Sequence, residues 1–237
     1  MDLFEAIYRR RSIRRFDPEY EVSDEELEKI LHAGVWAPSD ENMQNYRFIV
    51  VRDKETIEYL AEANEEITNT AWGLSGSIDM LQARVWYLPE KSQLRTIKGL
   101  MTGSLMVDAI RTCSLIIIPC YTIHGWIEYP RPTVITRDLS LVSVALALQN
   151  MWLTTYAIGL GAAFIGAPIY PDPRRRALLA EKLGIPRLWE PLCCFLVGKP
   201  TRGRPAGPPR HSLECHIFSE RWGRPYIRKA IREVEKE

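Results

Sequence analysis

Arg9, Arg10, Arg11, Arg14 and Arg15 crowd around Ser12. A guanidinium offers a planar fork of donors that pairs with phosphate oxygens, and a hydroxyl beside it adds one more donor. The whole chain has a formal net charge of only +1. Diffuse binding to a polyanion favours a basic domain, so the cluster reads as matched to one local anion, and nucleic acid is not an expected partner. A buried or half-buried phosphate is the natural ligand. The competing reading is a solvated basic helix end whose cations suit the helix dipole.

A second set of polar residues follows in Ala37-Pro38-Ser39-Asp40-Glu41-Asn42-Met43-Gln44-Asn45-Tyr46-Arg47-Phe48. Pro, Ser and Asn are common turn residues, so this stretch is a loop that ends a helix and presents its side chains. A third feature is Gly159-Leu160-Gly161 leading to Phe164-Ile165-Gly166. It lacks the third glycine of a dinucleotide fingerprint. Ile165-Gly166 at the end of a strand instead lets a ligand approach the main chain closely. Other chemistries find no support. His32, His124, His211 and His216 have no metal-ligand spacing, and Ser39 sits in no nucleophile elbow. Cys193 and Cys194 are neighbours in an apolar stretch and are expected to pack on opposite faces of a strand.

The elements that position these residues follow from caps and periodicity. Asp2 caps a helix carrying Leu3, Phe4 and Ile7. Ser23-Asp24-Glu25-Glu26 is a capping box opening a helix that buries Leu27, Ile30 and Leu31 and stops near Trp36, ahead of Pro38. Residues 48–51 read as a buried strand, Lys54 to about Asn64 as a helix, 115–118 as a strand bounded by Pro119, and 139–157 as a central helix apolar almost all round. A strand at 162–165, a helix from Asp172-Pro173 to Gly184, and a strand at 192–197 follow. This order predicts an α+β (α/β) fold with a central mixed β-sheet flanked by helices. Residues 66–110 lack clear periodicity and are expected to form a variable cap of loops and short helices. From about 199 a Pro- and Gly-rich arm precedes a final polar helix at 224–237.

Length and composition agree with an ordinary globular chain. At 237 residues, with 46% hydrophobic and 26% charged residues, no disulfide or metal staple is needed. Residues 1–237 are expected to form a single domain. The N-terminus lacks a charged segment followed by an apolar one, so no signal peptide is expected. The five cysteines form an odd set without C-x-x-C spacing, which fits a reducing cytoplasm and no metal site. Residues 139–170 carry no charge. Their serines, amides and glycines argue for a protein-buried helix, turn and strand rather than a membrane span.

Arg-Arg-Ser-Ile-Arg-Arg-Phe at 10–16, Ala-Pro-Ser-x-x-Asn-x-Gln at 37–44, and the glycine-rich stretch at 159–166 together resemble the nitroreductase family of FMN-dependent oxidoreductases. Order and spacing match across nearly the whole chain except about 66–110. The resemblance implies a nitroreductase-like fold in an intertwined homodimer that binds FMN. It implies Arg10 and Ser12 on the phosphate, Arg11 on phosphate or ribityl, and Arg14 on the C2 oxygen and N1 edge. Pro38, Ser39, Asn42 and Gln44 would reach the partner subunit's flavin, while Ile165 and Gly166 approach N5. Arg210 resembles the basic residue completing the phosphate site, with Arg204 as competitor. Asn45-Tyr46 stands where the family commonly has Pro-Trp. The implied activity is ping-pong: hydride from NAD(P)H to FMN, then electrons to a nitroaromatic, quinone or other conjugated electrophile, with no essential catalytic side chain. Specialised flavin chemistry, such as reductive dehalogenation or oxygen-dependent flavin breakdown, is the alternative on the same fold. A non-catalytic flavin-binding protein is the alternative of another class. Trp72, Trp86 and Tyr87 in the cap either wall the acceptor pocket or pack the cap onto the core.

Overall fold

The computed structural model describes residues 2–75, 86, 88–101, 104–122, 134–166, 169, 173–203 and 209–226. They fall into two compact units, Met1–Ala206 and Gly207–Glu237. The helices of the first unit are α1 (Leu3–Arg9), α2 (Asp24–Val35), α3 (Lys54–Ser75), α4 (Glu90–Met101), α5 (Ser104–Thr112), α6 (Val134–Ala157) and α7 (Pro173–Lys182). Its strands are β1 (Tyr46–Val51), β2 (Leu115–Thr122), β3 (Gly161–Ile165), β4 (Trp189–Pro191) and β5 (Cys194–Gly198).

The sheet runs β1-β2-β5-β3, with β4 also paired to β2. Every ladder is antiparallel; the parallel component is a single bridge from Ser12 to Ala162 at the β3 edge. Alternation along the strands builds two cores. Ile116, Leu196 and Ala163 face one side, where Leu60 of α3, Val107 and Ile110 of α5, and Leu179 of α7 cover them. Ile117, Phe195 and Ala162 face the other, under Ile30 of α2 and Val144, Leu148 and Met151 of α6. This is the expected sheet flanked by helices on both faces. Cys193 and Cys194 divide between the two cores, and burial pushes both thiols up, as it pushes Cys113 and Cys120 up to about 12.

Local signals mark where the helices start. The Asp2 carboxylate accepts from the Phe4 and Glu5 N–H groups at 3.0 and 3.2 Å, and the Ser23–Glu26 capping box closes with both bonds. Several boundaries differ from the sequence reading. The strand at 115–118 continues through Pro119 to Thr122, because the missing donor falls on a bulge. Cys120 faces Pro191 and Ile117 faces Phe195, so the β4–β5 side holds one extra residue, and the Leu192 N–H donates to the Pro119 carbonyl at 2.8 Å. A strand residue's N–H and C=O point to the same side, so Pro119 is tolerated there. The strand expected at 192–197 is β5, starting at Cys194, and the same bulge separates it from β4, a short strand the sequence reading did not include.

Helix α3 runs on to Ser75 rather than ending near Asn64, since neither Pro nor Gly occurs from Asn64 to Trp72. Helix α6 starts at Val134, taking Arg137 into its first turns. There Arg137 joins Arg176 of α7 and the Tyr121 hydroxyl on the Glu190 carboxylate, at 3.3, 3.0 and 2.9 Å. Much of the expected cap is helical, in α4 and α5. Helix α7 has Pro173 at its first position as expected, while its Asp172 cap lies outside the described residues. Residues 224–226 are non-helical, with Pro225 bridged to Phe218, and the rest of the expected final helix lies outside the described residues.

Two glycines set the entry to β3. Gly159 turns the chain with φ +87. Gly161 permits a close approach: a Cβ there would meet Ile13 Cβ and Cγ1 at 2.8 Å. Ile13 is 6% exposed and has no room to retreat. Gly161→Ala is therefore expected to lower the unfolding free energy by about 1–3 kcal/mol through overpacking, measured by urea denaturation. A variant as stable as the parent would contradict the close approach.

Candidate functional site

The arginine cluster leaves α1 at Arg10 and crosses the edge of the sheet. The Ile13 N–H donates to the Ala162 carbonyl at 2.9 Å, the Asp17 N–H to Lys199 at 2.8 Å, and the Thr201 N–H to Arg15 at 3.2 Å. Phe16 also bridges Pro200. The segment is thus tied to the start of β3 and to the chain leaving β5. Its side chains divide. The Arg10 guanidinium lies 4.3 Å over the Trp152 ring of α6, which meets Phe195 edge-on at 5.7 Å. Arg11 donates to the Tyr8 and Arg10 carbonyls at 2.7 and 2.8 Å, capping the end of α1. Ser12, Arg14 and Arg15 instead line a cleft of about 290 Å³ with Leu105 of α5 and the 200–203 turn, including Thr201 and Arg202. Among the described residues, no carboxylate lines it.

Ser12 lies beside Ala162, and Gly166 follows four residues further on, immediately after the end of β3. At about 3.3 Å per residue the separation is about 13 Å. This strand therefore carries the arginine segment near one end and leads to a residue without a Cβ at the other. Ile165 is buried and Gly166 half-buried.

The loop after α2 is held from within and from α6. The Ser39 Oγ accepts from the Gln44 N–H at 3.0 Å, and the Ser143 Oγ accepts from the Asp40 N–H at 3.1 Å. The buried Asn45 amide donates to the Ser140 hydroxyl, and the Gln44 amide donates to Asn42 Oδ1 at 3.2 Å. These bonds hold Glu41, Asn42 and Gln44 at positive φ of 46, 55 and 48°. Such backbones cost about 1–3 kcal/mol each and persist only where their surroundings over-determine them. Pro38, Asn42 and Gln44 stand exposed as a result, with Ser39 half-buried.

The structure brings Ser12 and Arg14 together, sets Arg10 against α6, and places Ile165 at the end of the strand that Ser12 flanks, with Gly166 directly after it. Arg210 is exposed and belongs to the Gly207–Glu237 unit, and Arg204 lies outside the described residues. Trp86 is exposed, while Tyr87 and the side chain of Trp72 lie outside the described residues. Sequence reasoning missed Trp152, Thr201 and Arg202, taking the first for core and the others for an irregular arm. It also read Ser140 and Ser143 as mere interruptions of an apolar helix. Their spacing of three, which puts both on one face, was the available signal.

The model of the nitroreductase family matches residues 7–199. The chain belongs to the nitroreductase family. Among its curated relatives, Protein DrgA of Synechocystis sp. is 28% identical over 161 residues, 67% of this chain and 68% of its own. An Archaeoglobus fulgidus nitroreductase relative, provisionally named NADH dehydrogenase/NAD(P)H nitroreductase, is 28% identical over 185 residues, 78% of each chain. Among solved structures, the NADPH:FMN oxidoreductase of Vibrio harveyi complexed with NAD+ has a TM-score of 0.68 at 18% identity, covering 98% of this chain and 82% of that one. A Desulfovibrio desulfuricans protein in complex with FMN has a TM-score of 0.64 at 24% identity, covering 94% and 98%. These likenesses establish the nitroreductase fold. Among the described residues, no helix is long and apolar enough to cross a membrane.

Ser143→Ala tests the pinning of the 38–44 loop. Removing the acceptor of the Asp40 N–H is expected to free the loop by about 1 kcal/mol, speeding amide exchange at 40–44 about fivefold. Global stability should hold, because alanine suits the helix at least as well as serine. Unchanged exchange at 40–44 would show that the Ser39, Asn42 and Ser140 bonds hold the loop without Ser143.

Proposed function

We propose that the protein is an FMN-dependent oxidoreductase that takes hydride from NAD(P)H and reduces a nitroaromatic, quinone or other conjugated electrophile by a ping-pong mechanism. The observation that carries this reading is the attachment of the arginine segment to β3, which aligns anion-binding groups with the Gly166 end of one strand. The donor set fits such a ligand. Hydroxyls and guanidiniums suit its phosphate, a glycine suits its flat ring, and the carboxylate-free cleft opposes no anion.

Bound FMN supplies the hydride-accepting atom and gathers negative charge along its N1 and C2 oxygen edge when reduced. Ser12 and Arg10 are assigned to holding the phosphate, Arg11 to phosphate or ribityl, and Arg14 to stabilising the charged edge. The contact with the Trp152 ring holds the Arg10 guanidinium in place. Ile165 and Gly166 give main-chain access to the ring, and no side chain is needed as general acid or base. Residues 66–110 are assigned to acceptor choice, and Leu105 already reaches the cleft.

The working unit is a homodimer in the cytoplasm, with Pro38, Ser39, Asn42 and Gln44 completing the neighbour's site. Two apolar surfaces support it. Leu139, Val142 and Leu146 on α6 are 36, 54 and 41% exposed, and Leu3 and Phe4 on α1 are 60 and 61% exposed. Monomers rarely leave such surfaces open to water.

Purified protein is expected to be yellow, to release FMN on heating, and to oxidise NAD(P)H steadily with a quinone or nitroaromatic acceptor. Chromatography that recovers FAD, or no flavin after incubation with FMN, would sink the reading; a flavin-loaded protein that never oxidises NAD(P)H would be a binder instead. Arg14→Ala should impair flavin reduction more than FMN affinity, and Arg10→Ala the reverse, each loss being about 10-fold to 150-fold for one charge-assisted contact. Light scattering should give the mass of a dimer, and an FMN-loaded, active monomer would refute the shared site.

A further inference from the structure

The cleft between residues 12–15 and the 200–203 turn holds more positive charge than a flavin requires. With Ser12 and Arg14 assigned to FMN, its lining still offers Arg15, Thr201 and Arg202. Arg15 and Arg202 are both exposed, and neither has an ion-pair partner among the described residues. Their backbones are nevertheless fixed, by the Thr201 N–H on the Arg15 carbonyl at 3.2 Å and the Phe16–Pro200 bridge. Two unneutralised guanidiniums and a hydroxyl held beside one cleft form a subsite for an anionic group. Their exposure suits a ligand that arrives and leaves at every turnover better than a resident coenzyme. Quinones and neutral nitroaromatics carry no anionic group for these cations to pair with. The nicotinamide nucleotide does.

We propose that Arg15, Thr201 and Arg202 form the docking subsite for the phosphate groups of the incoming nicotinamide nucleotide, either its pyrophosphate or its 2′-phosphate. The inference rests on the flavin oxidoreductase reading above. Both arginines sit on the rim, so their charge acts mainly on capture, which is screened by salt, and little on the hydride step.

The test uses full-length, FMN-loaded protein and its Arg15→Ala, Arg202→Ala and Arg202→Lys variants. Each is assayed for kcat/KM with NADPH, NADH and the phosphate-free donor 1-benzyl-1,4-dihydronicotinamide. Each alanine variant should lower the ratio of nucleotide to phosphate-free donor about 3-fold to 10-fold, chiefly through KM, and flatten its dependence on salt. Arg202→Lys should recover part of the ratio, because it keeps the charge without the fork. A loss confined to NADPH assigns the 2′-phosphate, and an equal loss with NADH assigns the pyrophosphate. Unchanged ratios in both alanine variants would overturn the proposal. Loss of FMN from them on gel filtration would assign the pair to the coenzyme and overturn it equally. A parent protein that binds no flavin would refute the oxidoreductase reading itself.

Discussion

The contact between Ile13 and Gly161 is the constraint from which the site follows. Ile13 fills the space a Cβ at position 161 would take, and its N–H donates to Ala162. With the chain held there, Ser12 bridges β3, Phe16 bridges Pro200, and the arginines on either side have little choice of direction. Arg10 goes to the α6 side and stacks on Trp152; Arg14 and Arg15 go to the cleft beside α5. Five like charges in seven residues would repel one another on a single surface. Crossing the sheet edge divides them, which lowers that repulsion.

Helix α6 serves three surfaces at once, which explains why it is apolar almost all round. Val144, Leu148 and Met151 seal one face of the sheet. Ser140 and Ser143 face the loop after α2 and supply the bonds that keep its unusual backbone in place. Leu139, Val142 and Leu146 form a stripe left open to water within one protomer. A long apolar helix with only one buried face would be costly, and packing against the sheet and the loop leaves only that narrow stripe uncovered. The same helix therefore couples core stability and loop shape.

The two cores divide the labour of the fold. On the α2–α6 side lie Trp152, the loop and the exposed stripe. On the α3–α5–α7 side lie Ile13, Phe16 and the helix whose Leu105 closes the cleft. A site assembled at the sheet edge draws from both, so it depends on β3 and β5 keeping their register. The ladder from Gly161–Gly198 to Ile165–Cys194 sets that register, with every residue but Phe164 buried. A one-residue slip would turn its alternating side chains into the wrong core.

Much of the architecture was legible in the sequence because its signals are local. Asp2, the Ser23–Glu26 box and Pro173 mark helix starts within a single turn of chain, and apolar runs at 115–118 and 139–157 identify buried elements whatever they touch. The arginine cluster, the 37–44 loop and Gly166 could likewise be picked out by residue type and spacing. The tertiary structure decided the rest. Strand β2 passes through Pro119 only because a bulge opposite absorbs the missing donor. No local signal pairs Arg10 with Trp152, sets Thr201 and Arg202 beside Arg15, or hangs Asp40 from Ser143. Those contacts join residues from about 100 to almost 190 positions apart. Spacing along the chain determines which face of an element a residue takes, but only the packed sheet determines what that face meets.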